Sequence, residues 1–186
     1  MILPIIAYGS AVLKKRGVEV QPDYPDLKVL IDNMYETMYH ASGIGLAAPQ
    51  IGLSIRLFIV DTIQLENEKE PHFKGMKKVF INPTILSQSG AEWKFEEGCL
   101  SIPTIRGDVF RQPDLVVRYQ DENFQWHEEA LDDMNARVVQ HEYDHIDGIL
   151  FTDKLQPLKK KMIQGKLKKI MKGDVKVDYK MKFPLK

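Results

Sequence analysis

Hydrophobic residues recur along this chain with two periods, and each change of period marks a new element. Between residues 25 and 41, Leu27, Leu30, Ile31, Met34, Met38 and Ala41 return at three- and four-residue spacing, which predicts an amphipathic helix. Gly43 lies just past its end, as a helix stop does. The small-residue stretch GIGLAAPQIG reads as a loop or tight extended segment, and RLFIVD at 56–61 as a buried strand. Residues 64–76 are polar and predict an exposed loop. Strand-like runs follow at 78–86, 92–96, 114–120 and 124–130, and the polar turn at 121–123 makes the last two a hairpin. A helix is predicted over 132–146, with Asp132 or Asp133 to cap it and Gly148 beyond it. A basic helix over 157–172 puts Leu158, Met162, Leu167, Ile170 and Met171 on its apolar side. The tail at 174–184 alternates Val175, Val177, Tyr179, Met181 and Phe183 at strand period. With no repeat and no linker, the expectation is one α+β domain over 1–186, of mostly antiparallel sheets packed around a central helix.

Composition narrows the class. Hydrophobic residues make up 44% of the 186, enough for a folded core. No apolar run approaches the ~20 residues of a membrane span, and MILPIIAYGS lacks the basic start and long apolar stretch of a secretory signal. The expected location is the cytoplasm, without membrane contact. The net charge of zero hides an asymmetry, since 12 lysines and 2 aspartates lie between Lys154 and Lys186. Such a tail is either a solvated helix face or a surface for a phosphate-rich partner. The single cysteine, Cys99, cannot form an internal disulfide, and a lone cysteine is commonly just a small buried apolar residue.

The strongest single motif is His141-Glu142-Tyr143-Asp144-His145. Two histidines four apart on a helix share a face and can grip one metal ion, and the intervening glutamate can serve as general base and then acid. Chance occurrence on a surface helix is the alternative. It is disfavoured because Leu131, Met134, Val138, His141 and His145 follow spacings of 3, 4, 3 and 4, so the histidines continue an apolar stripe. Val139, Tyr143 and Ile146 form a second apolar line, as expected of a central helix. Buried imidazoles need partners, and a metal supplies one. Sites of this kind use three protein ligands and keep one position open. No His or Glu follows His145, so the third ligand lies upstream, and Cys99 in Glu97-Gly98-Cys99-Leu100-Ser101 is the one thiol available.

Three segments together resemble the signature motifs of peptide deformylases. Gly43-Ile44-Gly45-Leu46-Ala47-Ala48-Pro49-Gln50 is similar to the first, GxGLAAxQ. Glu97-Gly98-Cys99-Leu100-Ser101 matches EGCLS, and Gln140-His141-Glu142-Tyr143-Asp144-His145 matches QHExDH. Ile102-Pro103 after the second motif resembles the type-1 bacterial subgroup, and the proline before Gln50 is tolerated by the pattern. Gly43-x-Gly45-x-x-Ala48 also fits a loose dinucleotide fingerprint. It follows a predicted helix and precedes a strand, the reverse of what that fingerprint requires, so no dinucleotide is expected.

The resemblance implies removal of the formyl group from the N-terminal formylmethionine of new polypeptides, with formate released. It implies one divalent metal on Cys99, His141 and His145: iron(II) in the cell, with zinc, nickel or cobalt also suited to the ligands. It implies that Glu142 moves protons and that the Gln50 amide and the Leu100 N–H stabilise the oxyanion. Ile44, Gly45, Glu97, Gly98, Arg106 and Val138 are implied at the substrate. Gly45 would let the peptide backbone approach, and Ile44 and Val138 would line the methionine pocket. The basic helix could dock on the ribosome, where the substrate emerges. Two other classes stay open: an ordinary metallopeptidase, which lacks its downstream ligand here, and a non-catalytic metal-binding or ribosome-binding module, which would normally close the site with a fourth ligand.

Overall fold

The computed structural model describes residues 1–67 and 72–185. Its middle is a five-stranded antiparallel sheet in the order β2-β3-β4-β7-β8, from β2 (Gly45–Ala47), β3 (Leu57–Asp61), β4 (Lys77–Ser89), β7 (Asp114–Gln120) and β8 (Trp126–Leu131). β5 (Trp93–Cys99) and β6 (Ile102–Arg111) form a separate antiparallel hairpin, and β1 (Ile5–Ile6) pairs in parallel with β9 (Met181–Lys182). Among the described residues, three α-helices complete the fold: α1 (Leu27–His40), α2 (Asp133–Ile146) and α3 (Pro157–Met171). The mixed helix and mostly antiparallel sheet agree with the α+β expectation.

β3 explains how the layers join. All five of its residues are buried, and successive side chains point to opposite faces. Phe58 and Val60 enter a cluster with Ala136, Val138, Val139 and Ile146 of α2. Leu57 and Ile59 enter another with Ile31, Met34 and Met38 of α1. A third cluster sets Ile102, Ile105 and Val109 of β6 against Ile163, Leu167 and Ile170 of α3. β4 is long but irregular, with register shifts against β7 on either side of Thr84–Ile85. Pro83, with no N–H to give the ladder, sits at the first of them. Among the described residues, no helix is long and apolar enough to cross a membrane.

Several expectations need correction. β6 escaped the sequence reading because its buried side carries Gly107 and Arg111, while Phe110 faces outward; the alternation is real but is not one of hydrophobicity. The tail is not a strand over 174–184. Only Met181–Lys182 pairs; Met181 also packs against the third cluster, as do Val175 and Phe183, which lie outside any strand. On α3, Leu158 and Met162 are 72% and 70% exposed, and the buried face is Ile163, Leu167 and Ile170. Asp132 occupies the capping position of α2 but makes no side-chain cap hydrogen bond. After α1, the left-handed turn is taken by Ser42 (φ 56°) rather than Gly43. The small-residue stretch resolves into β2 and a 3₁₀ turn over Ala48–Ile51. The predicted loop at 64–76 contains a short 3₁₀ turn, Ile63–Leu65, at its start, and its residues 68–71 lie outside the described residues.

The rotated face of α3 can be checked by urea unfolding. Leu167→Ala is expected to cost ~2–5 kcal/mol as a buried truncation, whereas Leu158→Ser should stay within ~0.5 kcal/mol of the parent.

Candidate metal centre

α2 is buried along most of its length, and the motif residues leave it on the side facing β2 and the β5–β6 hairpin. His141 and His145 lie one turn apart, with ring centroids 5.1 Å apart and planes crossing at 77°. Cys99 comes from the end of β5, where the register slips between Gly98 and Cys99 and the chain turns into β6. That irregularity aims the thiol at α2 instead of along the hairpin. Cys99 Sγ lies 3.3 Å from His145 Nε2, and one ligand atom from each of Cys99, His141 and His145 falls within 4.8 Å of the others. Sulfur and nitrogen ligands on one tetrahedral ion stand about 3.5 Å apart, so the donor set and its spacing fit a single metal ion.

The surroundings orient these ligands. His141 Nδ1 is 3.0 Å from Glu97 Oε2, which leaves its Nε2 for the site. Glu97 also accepts two hydrogen bonds from Arg111, 2.7 and 2.9 Å, and one from Arg137, 2.6 Å. Arg111 reaches on to Asp144 at 2.8 Å. Burial alone would raise the Glu97 carboxyl, but the hydrogen bonds from His141 and Arg111 outweigh it and hold the group well below the usual carboxylate range. For His141, burial disfavours the charged ring, yet the contacts with Cys99 and Glu97 prevail and push it up to about 10. Burial, then the charges of His141 and Arg111, hold His145 well below its ordinary value.

Glu142 is 4% exposed, and its Oε2 has no hydrogen-bond partner among the described residues. Burial pushes its carboxyl up to about 7 despite the nearby cations, so it can both take and give a proton near neutrality. Gln50 is pinned at both ends: its Oε1 accepts from the Ala47 N–H at 2.8 Å and its Nε2 donates to Cys99 Sγ at 3.4 Å.

These groups open onto a cleft of about 670 Å³. Ile44, Gly45, Gln50, Gly98, Leu100 and Val138 line it, as do Cys99, His141 and Glu142, while His145 lies beneath. The structure sharpens three substrate-side expectations. Glu97 borders the cleft, but its carboxylate is occupied by His141 and two arginines. Arg106 lines the rim and pairs with Glu96 at 3.0 Å, with more than half its side chain exposed. At Gly45 the crowding group is Glu142, since a Cβ there would lie 2.5 Å from Glu142 Oε1. Sequence reasoning missed Arg111, Arg137, Phe95, Met134 and Tyr179. Arg137 was within reach, because it precedes His141 by one helical turn and shares its face. Arg111 sat in the unread strand.

A family profile described as polypeptide deformylase matches residues 2–161. The chain belongs to the polypeptide deformylase family. A peptide deformylase of Christiangramia forsetii is 54% identical over 99% of this chain and 97% of its own length. One from Flavobacterium johnsoniae is 52% identical over 98% and 96%. The crystal structure of a peptide deformylase from Legionella pneumophila superposes with a TM-score of 0.81 at 37% identity, covering 94% of this chain and 98% of that one. The family is metal-dependent and hydrolyses the N-formyl group of nascent polypeptides, and the chain is an enzyme of this class.

Glu97→Gln is expected to cost ~3–5 kcal/mol, because it takes the paired carboxylate from buried Arg137 and leaves Arg111 with Asp144 alone of its two. The ordinary carboxyl titrates near ~4.3, and in the folded chain Glu97 is held lower. Its stabilisation is therefore complete above that range and lost as pH falls through the depressed value. Urea midpoints in chelator at neutral and acid pH should fall less steeply with acid for the variant than for the parent.

Proposed function

We propose that Cys99, His141 and His145 hold one divalent metal, iron(II) in the cell, and that deformylation takes place in the cleft above it. The observation that carries this reading is the convergence of the three ligand atoms beside the buried carboxyl of Glu142 at the cleft. A thiolate with two imidazoles also suits zinc, nickel and cobalt. Bound there, the ion would supply Lewis acidity and make hydroxide available at neutral pH.

The chain's own groups do the rest. Glu142 removes a proton from the attacking water and hands it to the amine nitrogen as the formyl C–N bond breaks, releasing formate and a free amino terminus. The Gln50 Nε2–H and the Leu100 N–H donate to the oxyanion of the tetrahedral intermediate. Ile44 and Val138, with Phe95 and Met134 also on the cleft wall, take the methionine side chain. Gly45 lies on β2, an edge strand of the central sheet, against which an extended peptide can align. Gly98 and Arg106 border the path of the peptide. We read the whole chain, 1–186, as one functional unit without a dinucleotide site, acting in the reducing cytoplasm where Cys99 stays a thiol.

The partner presenting the substrate is the ribosome, and α3 is the docking surface on this reading. Its outer face combines lysines with the exposed Leu158 and Met162. Because Ile163, Leu167 and Ile170 of the same helix are core residues, deleting the helix would disturb the fold. Replacing Lys159, Lys161 and Lys168 by glutamate is the cleaner test, and co-sedimentation with ribosomes is expected to fall. Unchanged co-sedimentation would overturn the docking.

Formate release from a formyl-Met peptide, measured anaerobically, tests the catalytic reading. The parent chain should turn over, lose activity in chelator and regain it on adding iron(II), while casein stays intact. Glu142→Ala should retain the metal and lose ~100- to 10,000-fold in rate; substantial turnover by that variant would remove Glu142 from its role.

A further inference from the structure

The family profile ends at residue 161, yet the chain beyond it returns to the cleft. Gly173 (φ 73°) reverses direction after α3. The tail is then tied to the N-terminal strand, where the Ile5 N–H bonds the Lys180 carbonyl and the Ala7 N–H bonds that of Lys182, both at 2.9 Å. Between these anchors, Val177, Asp178 and Tyr179 line the same cleft as Cys99 and Glu142. The Tyr179 hydroxyl donates to the carbonyl of Leu100 at 2.8 Å. The next carbonyl, of Ser101, accepts from the Tyr8 N–H at 2.9 Å. Both bonds hold the tight turn between β5 and β6, which the Cys99–Ile102 pair closes after the register slip.

We propose that this C-terminal tail is part of the active site, with Tyr179 as a positioning residue acting through Leu100. The hydrogen bond fixes the peptide that follows Leu100 and so limits rotation about its Cα. The peptide that precedes Leu100 carries the N–H next to Cys99, and its direction depends on that same Cα. The hydroxyl therefore keeps the N–H aimed at the cleft, while the ring and Val177 wall it. The proposal rests on the reading of the Leu100 N–H as an oxyanion donor. Tyr179 touches neither substrate nor metal on this account, so its contribution belongs to the transition state and not to ground-state binding.

Tyr179→Phe keeps the ring and removes only the donor. A neutral hydrogen bond of this kind supports a loss of about two- to tenfold in kcat, with KM for a formyl-Met peptide and metal content unchanged. Amide hydrogen exchange at Leu100 and Ser101 should quicken by a similar factor. Lys176→Ala, on the exposed side of the tail, should change neither. A kcat within about 1.5-fold of the parent would overturn the proposal, and so would a loss of kcat that merely follows loss of metal or of melting temperature. If the parent chain released no formate, the function reading would fail on its own, while exchange at Leu100 would still decide whether Tyr179 holds that turn.

Discussion

The geometry of the site depends on one buried carboxylate. Glu97 of β5 is shared by Arg111 of β6 and by Arg137 and His141 of α2. Hairpin and helix have no backbone ladder between them, so this cluster is their polar join. Burying two guanidinium groups and a carboxylate is costly, and such networks contribute less to net stability than their short distances suggest. Their effect is on uniqueness of arrangement: a planar guanidinium bonded at both ends tolerates little rotation. Cys99 follows Glu97 by two residues and His141 is bonded to it directly. The carboxylate that satisfies the arginines therefore also sets where the thiol and the imidazole meet.

What the sequence could reveal follows from what a side chain reports about its own element. Helix periodicity exposed α2, because apolar residues and histidines share one stripe, and it placed His141, Glu142 and His145 correctly on the buried side. β3 was legible as four apolar residues in a row before Asp61, and the β7–β8 hairpin as two runs divided by Asp121–Asn123. β6 was not legible, since its inward positions include Gly107, whose added Cβ would meet Leu155 at 2.6 Å, and Arg111, whose charge is neutralised only by residues distant in the chain. Periodicity assigns residues to faces by hydrophobicity and fails where tertiary pairing lets a charged residue take an inner position. The same limit hid the buried face of α3, where Leu158 and Met162 belong to the apolar set by composition but look outward.

Gly45 shows how a motif can be matched correctly and explained incompletely. Room for an approaching peptide backbone is the expectation for a small residue at this position. The structure adds a tighter constraint, because Glu142 occupies the volume that a Cβ would need. The close approach of β2 to α2 is what buries Glu142, and that burial is the main cause of its raised pKa. A side chain at position 45 would push β2 from α2 or push Glu142 toward solvent. Either movement would lower the carboxyl toward its ordinary value. Steric economy at the strand and acid strength at the helix are thus one property.

The cleft also lies where three separate cores meet. Cys99 packs against the cluster shared by β6 and α3, Ile44 and Val138 belong to the cluster under α2, and Leu100 packs against the cluster under α1. Adjacent residues in the chain, Cys99 and Leu100, are therefore held by different parts of the fold, with the turn between β5 and β6 bridging them. A turn in that position transmits small movements of either core to the thiol and to the Leu100 N–H alike. The hairpin ladder gives limited support here, because its register slips between Gly98 and Cys99 and leaves the pair Cys99–Ile102 to close the turn. External contacts add stiffness, and the hydrogen bonds to the turn's carbonyls from Tyr8 and Tyr179 come from segments that are themselves paired through β1 and β9. Joining the termini beside the cleft thus turns a weak point of the hairpin into a fixed one.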